Sequence, residues 1–184
     1  MPITPQDAKN VLTSADLIYS DSDLSAALDD MAEQITARLH DANPLVIGVL
    51  TGGMIPTSFL VTRLQFPLQL DYLHATRYRG QTSGGTLQWI ARPQTSLRDR
   101  VVLLVDDILD EGHTLRAIVD DCLAQGAKQV LTAVVLEKNR ERSTTIKADF
   151  TGLQVPDRYV FGFGMDYKEY WRALPAVYAV KEHG

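Results

Sequence analysis

The stretch VVLLVDDILDEGHTL (residues 101–115) decides how this chain is read. Its first five residues, Val101 to Val105, form an apolar run suited to a strand buried on both faces. Asp106, Asp107, Asp110 and Glu111 follow within six positions, and the residues after them read as a helix. One Asp there would serve as an N-cap in an acidic turn. Four carboxylates in so short a span repel one another, so they make physical sense where cations or hydrogen-bond donors are supplied to them. A divalent ion, or a sugar whose hydroxyls donate hydrogen bonds, satisfies adjacent carboxylates. Gly112 permits a tight backbone, and the N-terminus of the following helix offers unpaired amides suited to phosphate. The two halves of the loop together fit a phosphorylated sugar.

Working outward, the pattern of strand, loop and helix repeats. PLVIGVL (44–50) reads as a buried strand, followed by TGG (51–53) and a helix from Ile55 to Leu64 with Pro56 in its first turn. HTLRAIVDDCLAQGA (113–127) reads as a helix starting near Thr114 and closed by Gly126, and QVLTAVVL (129–136) as the next strand. SDLSAALDDMAEQITARLH (22–40) carries Leu24, Ala27/Leu28, Met31, Ile35 and Leu39 at helical spacing, with Ser22 or Asp23 as N-cap. LQLDYLHATRYR (68–79) alternates as a half-buried strand does, QTSGG (81–85) has the composition of a mobile loop, and TLQWIARP suits the returning arm of a ribbon. Strands alternating with helices predict an α/β fold with a mostly parallel central sheet flanked by helices. Ligands of such folds sit outside the carboxyl ends of the strands. The TGG, DDILDEGHT and EKNRER segments, each directly after a strand, are therefore expected at one edge of the sheet.

Composition narrows the function. The chain has 184 residues, 45% hydrophobic and 22% charged, the profile of one globular domain. A net charge of −5 argues against non-specific nucleic-acid binding, which depends on basic faces. The one cysteine, Cys122, shares helical core spacing with Leu115, Ile118 and Val119 and reads as core, so neither an internal disulfide nor a thiolate metal site is expected. His40, His74, His113 and His183 lack metal-ligand spacing. MPITPQDAKNVL does not read as a secretory signal, and apolar runs such as LVIGVL fall far short of the ~20 residues that span a bilayer, so the expectation is a cytoplasmic protein without membrane association. Neither G-x-G-x-x-G nor G-x-x-x-x-G-K-[ST] occurs.

A hydrophobic strand followed by VDDILDEGHTL resembles the phosphoribosyl pyrophosphate (PRPP) motif of the type I phosphoribosyltransferases. From about residue 40 to 180 the chain is similar to their 6-oxopurine branch, the hypoxanthine-guanine phosphoribosyltransferases. The resemblance implies that fold, with a core over about 40–150, a small hood from about 1–20 and 151–184, and a mobile loop at about 77–86. It implies that Asp106 and Asp107 contact the ribose hydroxyls, that Asp110 faces the purine near N7 as general base, and that Glu111, Gly112, His113 and Thr114 cradle the 5'-phosphate. Glu111 stands where many relatives carry a small hydroxyl residue, so its amide is expected to serve while its side chain points away.

Further segments extend the likeness. In VVLEKNRER, Lys138, 28 residues after Asp110, matches a lysine that binds the purine 6-oxo group, although most strand-end lysines are simply solvated. In DFTGLQVPDRYVFGFGMDYKEYWRALP (149–175), Tyr159 matches an aromatic residue that stacks on the base, and Val160 a residue that reads the purine edge through its backbone. Met165 would line the pocket, Asp166 matches an acid that helps hold a second magnesium ion, and Arg172 an arginine close to pyrophosphate. Phe161 and Phe163 read as packing residues. Thr51 and Gly52 lie in the segment that matches a pyrophosphate-binding loop, often led by lysine and often with a cis peptide; Thr51 brings no charge, and Arg77, beside Tyr78 in the mobile loop, is the candidate to replace it.

The implied function is purine salvage: transfer of the phosphoribosyl group from PRPP to N9 of hypoxanthine or guanine, with Mg²⁺ as cofactor and Asp106, Asp107 and Asp166 as its ligands. A homodimer or homotetramer is implied as well. The nearest alternatives are a phosphoribosyltransferase preferring xanthine and a non-catalytic nucleotide-sensing regulator of the same fold, which would need a basic face. A response-regulator receiver also places acids after a strand, but too little chain follows Asp107 for the rest of that fold.

Overall fold

A computed structural model describes residues 3–77 and 87–181, with backbone alone at residue 77. Six strands form the large sheet: β2 (Leu45–Leu50), β3 (Gln69–Arg77), β4 (Leu87–Ala91), β5 (Val101–Leu109), β6 (Gln129–Lys138) and β7 (Phe150–Val155), in the order β4-β3-β2-β5-β6-β7. All neighbours are parallel except β3 and β4, the ribbon expected around residues 68–92. This is the mostly parallel α/β sheet that the sequence predicts.

The apolar runs are continuous because helices cover both faces. Val46, Leu103 and Val105 point toward α2 (Asp21–Leu39) and α3 (Met54–Val61). Their neighbours Leu45, Ile47, Val102 and Leu104 pack with Leu115, Ile118 and Cys122 of α4 (His113–Ala124). In α2, Leu24, Leu28, Met31, Ile35 and Leu39 are all buried, as the spacing requires.

The boundaries differ in informative ways. Ser20, not Ser22 or Asp23, caps α2: its Oγ accepts from the Asp23 N–H while the Asp23 carboxylate accepts from the Ser20 N–H. The same device, Thr4 with Asp7 and Pro5 at the first position, starts a helix the sequence reading did not place, α1 (Pro5–Ser14). Helix α3 stops early, and Arg63 and Leu64 continue it only by bonds to the carbonyls of Leu60 and Val61, a tighter last turn. Strands β5 and β6 run past the apolar residues into Leu109 and Lys138.

A second sheet, in the order β1-β9-β8, joins β1 (Asp16–Tyr19) to β8 (Val160–Phe161) and β9 (Val177–Ala179). Its buried residues Val160, Val177 and Ala179, with Phe163 and Met165 just past β8, share the core of α2 and α3, so it sits against that face of the large sheet. Trp171 Nε1 donates to the Ala8 carbonyl of α1 (2.8 Å), and Arg158 holds Asp16 (2.6 Å), which tie the two chain ends together. No helix among the described residues is long and apolar enough to cross a membrane.

Candidate active site

The carboxyl ends of β2, β5 and β6 meet at one edge of the large sheet. Strand β2 pairs with β5 only over Val102–Val105, whereas β6 stays paired with it as far as Leu109. Asp106 and Asp107 therefore lie within a strand, not in an acidic turn, where one neighbour has already left. The Thr51–Gly53 loop fills that place. A Cβ added at Gly52 would collide with the Asp107 carboxylate, so glycine is needed there for close approach. The Leu50–Thr51 peptide is cis, and the Gly53 N–H is already taken by the Val49 carbonyl (2.8 Å).

Asp106 Oδ1 accepts from the Asp107 N–H (2.9 Å), and Asp107 Oδ1 from the Ile108 N–H (2.7 Å). Burial, and then the Asp107 charge beside it, push the Asp106 carboxyl well above the ordinary carboxylate range. Burial raises Asp107 too, offset in part by hydrogen bonds and by the nearby Arg172 guanidinium. The repulsion expected from clustered acids is thus concentrated at Asp106.

Asp110 meets cations instead. Its Oδ2 accepts from Lys138 Nζ (2.9 Å) and its Oδ1 from Arg140 (3.1 Å). The Lys138 side chain is only 12% exposed, so it is not a solvated strand-end lysine. The Glu111 carboxylate pairs with Arg140 (2.7 Å) and so is held by a side chain.

Gly112, with φ +80°, is the N-cap of α4 and offers no side chain to its amides. An added Cβ would strike Ile146 and Thr144. Helices α1 and α2 carry capping boxes with an acid in the first turn, while the first turn of α4 has neither acid nor side-chain cap. The amides from Gly112 to Leu115 are left for an outside acceptor. His113 and Thr114 open this helix, and His113 Nε2 lies 3.1 Å from Ser143 Oγ.

Directly after β8, the segment from Gly162 to Tyr170 makes two tight turns. Gly162 and Met165 exchange backbone hydrogen bonds around Phe163 and Gly164, and Tyr167 and Tyr170 do so around Lys168 and Glu169. All four central residues have positive φ, as in the mirror-image hairpin turns. Gly164 approaches the Gly52 carbonyl so closely that a Cβ would collide with it. Arg172 bonds the Gly164 carbonyl (2.9 Å) and the Asp166 carboxylate (2.8 Å). Phe161 and Phe163 are buried packing residues, against Tyr178 and Phe59 respectively. Tyr159 is 51% exposed, with its ring edge-on to Tyr167.

Between the two sheets lies a cavity of about 270 Å³ walled by Asp107, Asp110, Lys138, Tyr159, Val160, Met165 and Asp166, with Ile108. Apart from Ile108, every wall residue was singled out from sequence. Among the described residues, no three His, Cys, Asp or Glu side chains are grouped so that they could hold one metal ion. Asp166 is drawn onto Arg172 and the Glu169 N–H. The Arg77 side chain, Tyr78 and the rest of the loop to residue 86 lie outside the described residues.

Sequence reasoning missed Arg140 and Arg142. Arg142 donates to the carbonyls of Leu109, Asp110 and Lys138 and pairs with Glu137 (2.8 Å), stapling the ends of β5 and β6 together. The available signal was the surplus of acids in 106–111, which two arginines just past Lys138 could balance.

Residues 14–169 match the family model described as the phosphoribosyl transferase domain. The chain belongs to the phosphoribosyltransferase family. Among curated phosphoribosyltransferases it is 32% identical to the hypoxanthine-guanine phosphoribosyltransferase of Bacillus subtilis, covering 90% of this chain and 92% of that protein. It is 33% identical to the bifunctional protein TilS/HprT of Listeria innocua, again over 90% of this chain but spanning only 26% of that longer protein. Of solved structures, a hypoxanthine phosphoribosyltransferase from Staphylococcus aureus superposes with a TM-score of 0.87 at 27% identity, covering 97% of both chains. The fold is that of the type I phosphoribosyltransferases.

Proposed function

We propose that this phosphoribosyltransferase transfers the phosphoribosyl group of PRPP to N9 of hypoxanthine or guanine, releasing pyrophosphate, as a purine salvage enzyme. The supporting observation is the Lys138–Asp110 pair, with its lysine largely covered, in the wall of a small cavity beside the open amide end of α4. A lysine ammonium only donates and a carboxylate only accepts. Side by side they complement the O6 acceptor and N7–H donor of a 6-oxopurine. Adenine would present an amino group to the lysine, and a site whose buried donor is left unpaired rejects such a ligand by ~10⁴-fold or more.

In this reading the amides from Glu111 to Thr114 bind the 5'-phosphate, while Asp106 and Asp107 accept from the ribose hydroxyls. The Thr51–Gly52 loop and Arg172 border the pyrophosphate. Tyr159 stacks on the base, Met165 closes one wall, and the Val160 backbone reads the purine edge. The C1'–O bond to pyrophosphate breaks and its electron pair leaves with pyrophosphate. The N9 lone pair closes onto C1', and the N7 proton passes to an Asp110 carboxylate oxygen. Positive charge that develops on the ribose meets carboxylates already in place.

The acidic pair also fits magnesium, which commonly takes one or two carboxylates and completes its shell with substrate oxygens and water. Asp106 and Asp107 would hold it, Asp166 a second ion from the other wall, and the metal would neutralise charge on the pyrophosphate leaving group. The test is pyrophosphate release with PRPP, magnesium and each of hypoxanthine, guanine, xanthine and adenine. Turnover with the first two and not adenine is expected. Preferential turnover of xanthine would reassign the base, and no turnover with any base would remove the reading.

A further inference from the structure

Arg140 lies just beyond the end of β6 and is not in the cavity wall. Its guanidinium nevertheless meets three carboxylates from three parts of the chain. One terminal nitrogen is 3.1 Å from Asp110 Oδ1 and 3.4 Å from Asp157 Oδ1, and the other is 2.7 Å from Glu111 Oε1. Asp157 belongs to the turn between β7 and β8, and Glu111 to the loop that leads into α4. The Arg140 side chain is 29% exposed, and its Nε is buried. An isolated, solvated ion pair contributes little. A planar fork that spans three acids at the back of a cavity is a different arrangement, and lysine cannot reproduce it.

The geometry divides Asp110 in two. Oδ2 faces Lys138 in the cavity wall, and Oδ1 faces Arg140 behind it. The terminal torsion of an aspartate is broad and two-fold, so a carboxylate anchored at one oxygen can still swing. Once Lys138 turns to a purine oxygen, Arg140 is the remaining cation on Asp110. We propose that Arg140 is a positioning residue: it fixes Oδ1 so that Oδ2 presents to the purine, and through Glu111 it ties that orientation to the loop that holds the phosphate. This rests on the reading of Asp110 as the acceptor of the base proton. Misplacing a reacting group by ~1 Å can cost about 100-fold in rate.

Arg140→Lys keeps the charge but removes the fork. The expected result is kcat lowered by about 10- to 100-fold with KM for PRPP within about threefold of wild type, and with an unchanged thermal midpoint. Arg140→Ala should lose as much, and millimolar guanidinium ion should restore part of kcat. In an Asp110→Asn background, Arg140→Lys should change residual kcat by less than about twofold, because the group it positions is gone. A purely structural loss would instead multiply through both backgrounds. Turnover of Arg140→Lys within about twofold of wild type, or an equal loss in the Asp110→Asn background, overturns the proposal while leaving the reading of Asp110 intact. Wild-type turnover undiminished by Asp110→Asn alone overturns that reading, and the proposal with it.

Discussion

Lys138 Nζ lies 2.9 Å from Asp110 Oδ2 although 28 residues separate the two in sequence. Strands β5 and β6 pair in parallel up to Leu109 and Glu137, so the residue after each strand's last pair arrives at the same height on the sheet edge. Removing the lysine leaves Asp110 paired to Arg140 and, in the proposed reading, takes away a donor to the 6-oxo group. For Lys138→Ala we expect kcat/KM with guanine or hypoxanthine to fall by about 10- to 100-fold, the worth of a charge-assisted hydrogen bond. Adenine, which leaves the lysine donor unpaired, should gain rather than lose turnover when the lysine is removed, so discrimination narrows from both sides. Steady-state kinetics with the four bases measure this; unaltered discrimination would take Lys138 away from base selection.

Asp110→Asn retains size and removes the negative charge. PRPP binding, measured by calorimetry in magnesium buffer, should stay within about threefold of wild type, while kcat drops by ~10²–10⁴-fold, the usual range for loss of a general base. Near-normal turnover would exclude Asp110 from the proton transfer.

The sheet was legible because its strands are buried on both faces, so that apolar runs, rather than alternation, mark β2, β5 and β6. The same logic stopped β5 and β6 too early. Asp106 and Asp107 stay in β5 because β6 keeps its hydrogen bonds to that strand, a non-local fact that no local pattern carries. Helix α1 was legible in principle, since TPQD is a capping box with proline at the first position, but it precedes so short an apolar stretch that the signal stood alone. The cavity wall was found through likeness rather than through spacing. Arg140 and Arg142 escaped because an arginine's partners are set by tertiary placement: both reach back to the β5 end across thirty or more residues of chain.

Gly164 has φ +104° and approaches the Gly52 carbonyl, so alanine there is both conformationally strained and crowded against the loop that packs on Asp107. Gly164→Ala should destabilise by ~1–3 kcal/mol. For a chain of this length that lowers Tm by roughly 2–12 °C. Calorimetric melting checks this, and a Tm within 1 °C of wild type would contradict the contact.

Cys122 is buried in α4, and burial, followed by the Asp121 charge, pushes its thiol up to about 11 from 9.0. A raised folded-state value means that the thiol's contribution to stability is fully present below pH 9.0 and is lost as pH rises through about 11. At pH 9 an unperturbed thiol is half ionised, whereas this one would be about 1% thiolate. Iodoacetamide should therefore label the native chain at least ~50-fold more slowly than the urea-unfolded chain at that pH, even before steric exclusion is counted. The gap should close on unfolding, since it belongs to the packed state alone. Equal labelling of native and unfolded chain at pH 9 would mean that Cys122 is reached by solvent, and that the face of the sheet beneath α4 is not sealed as described.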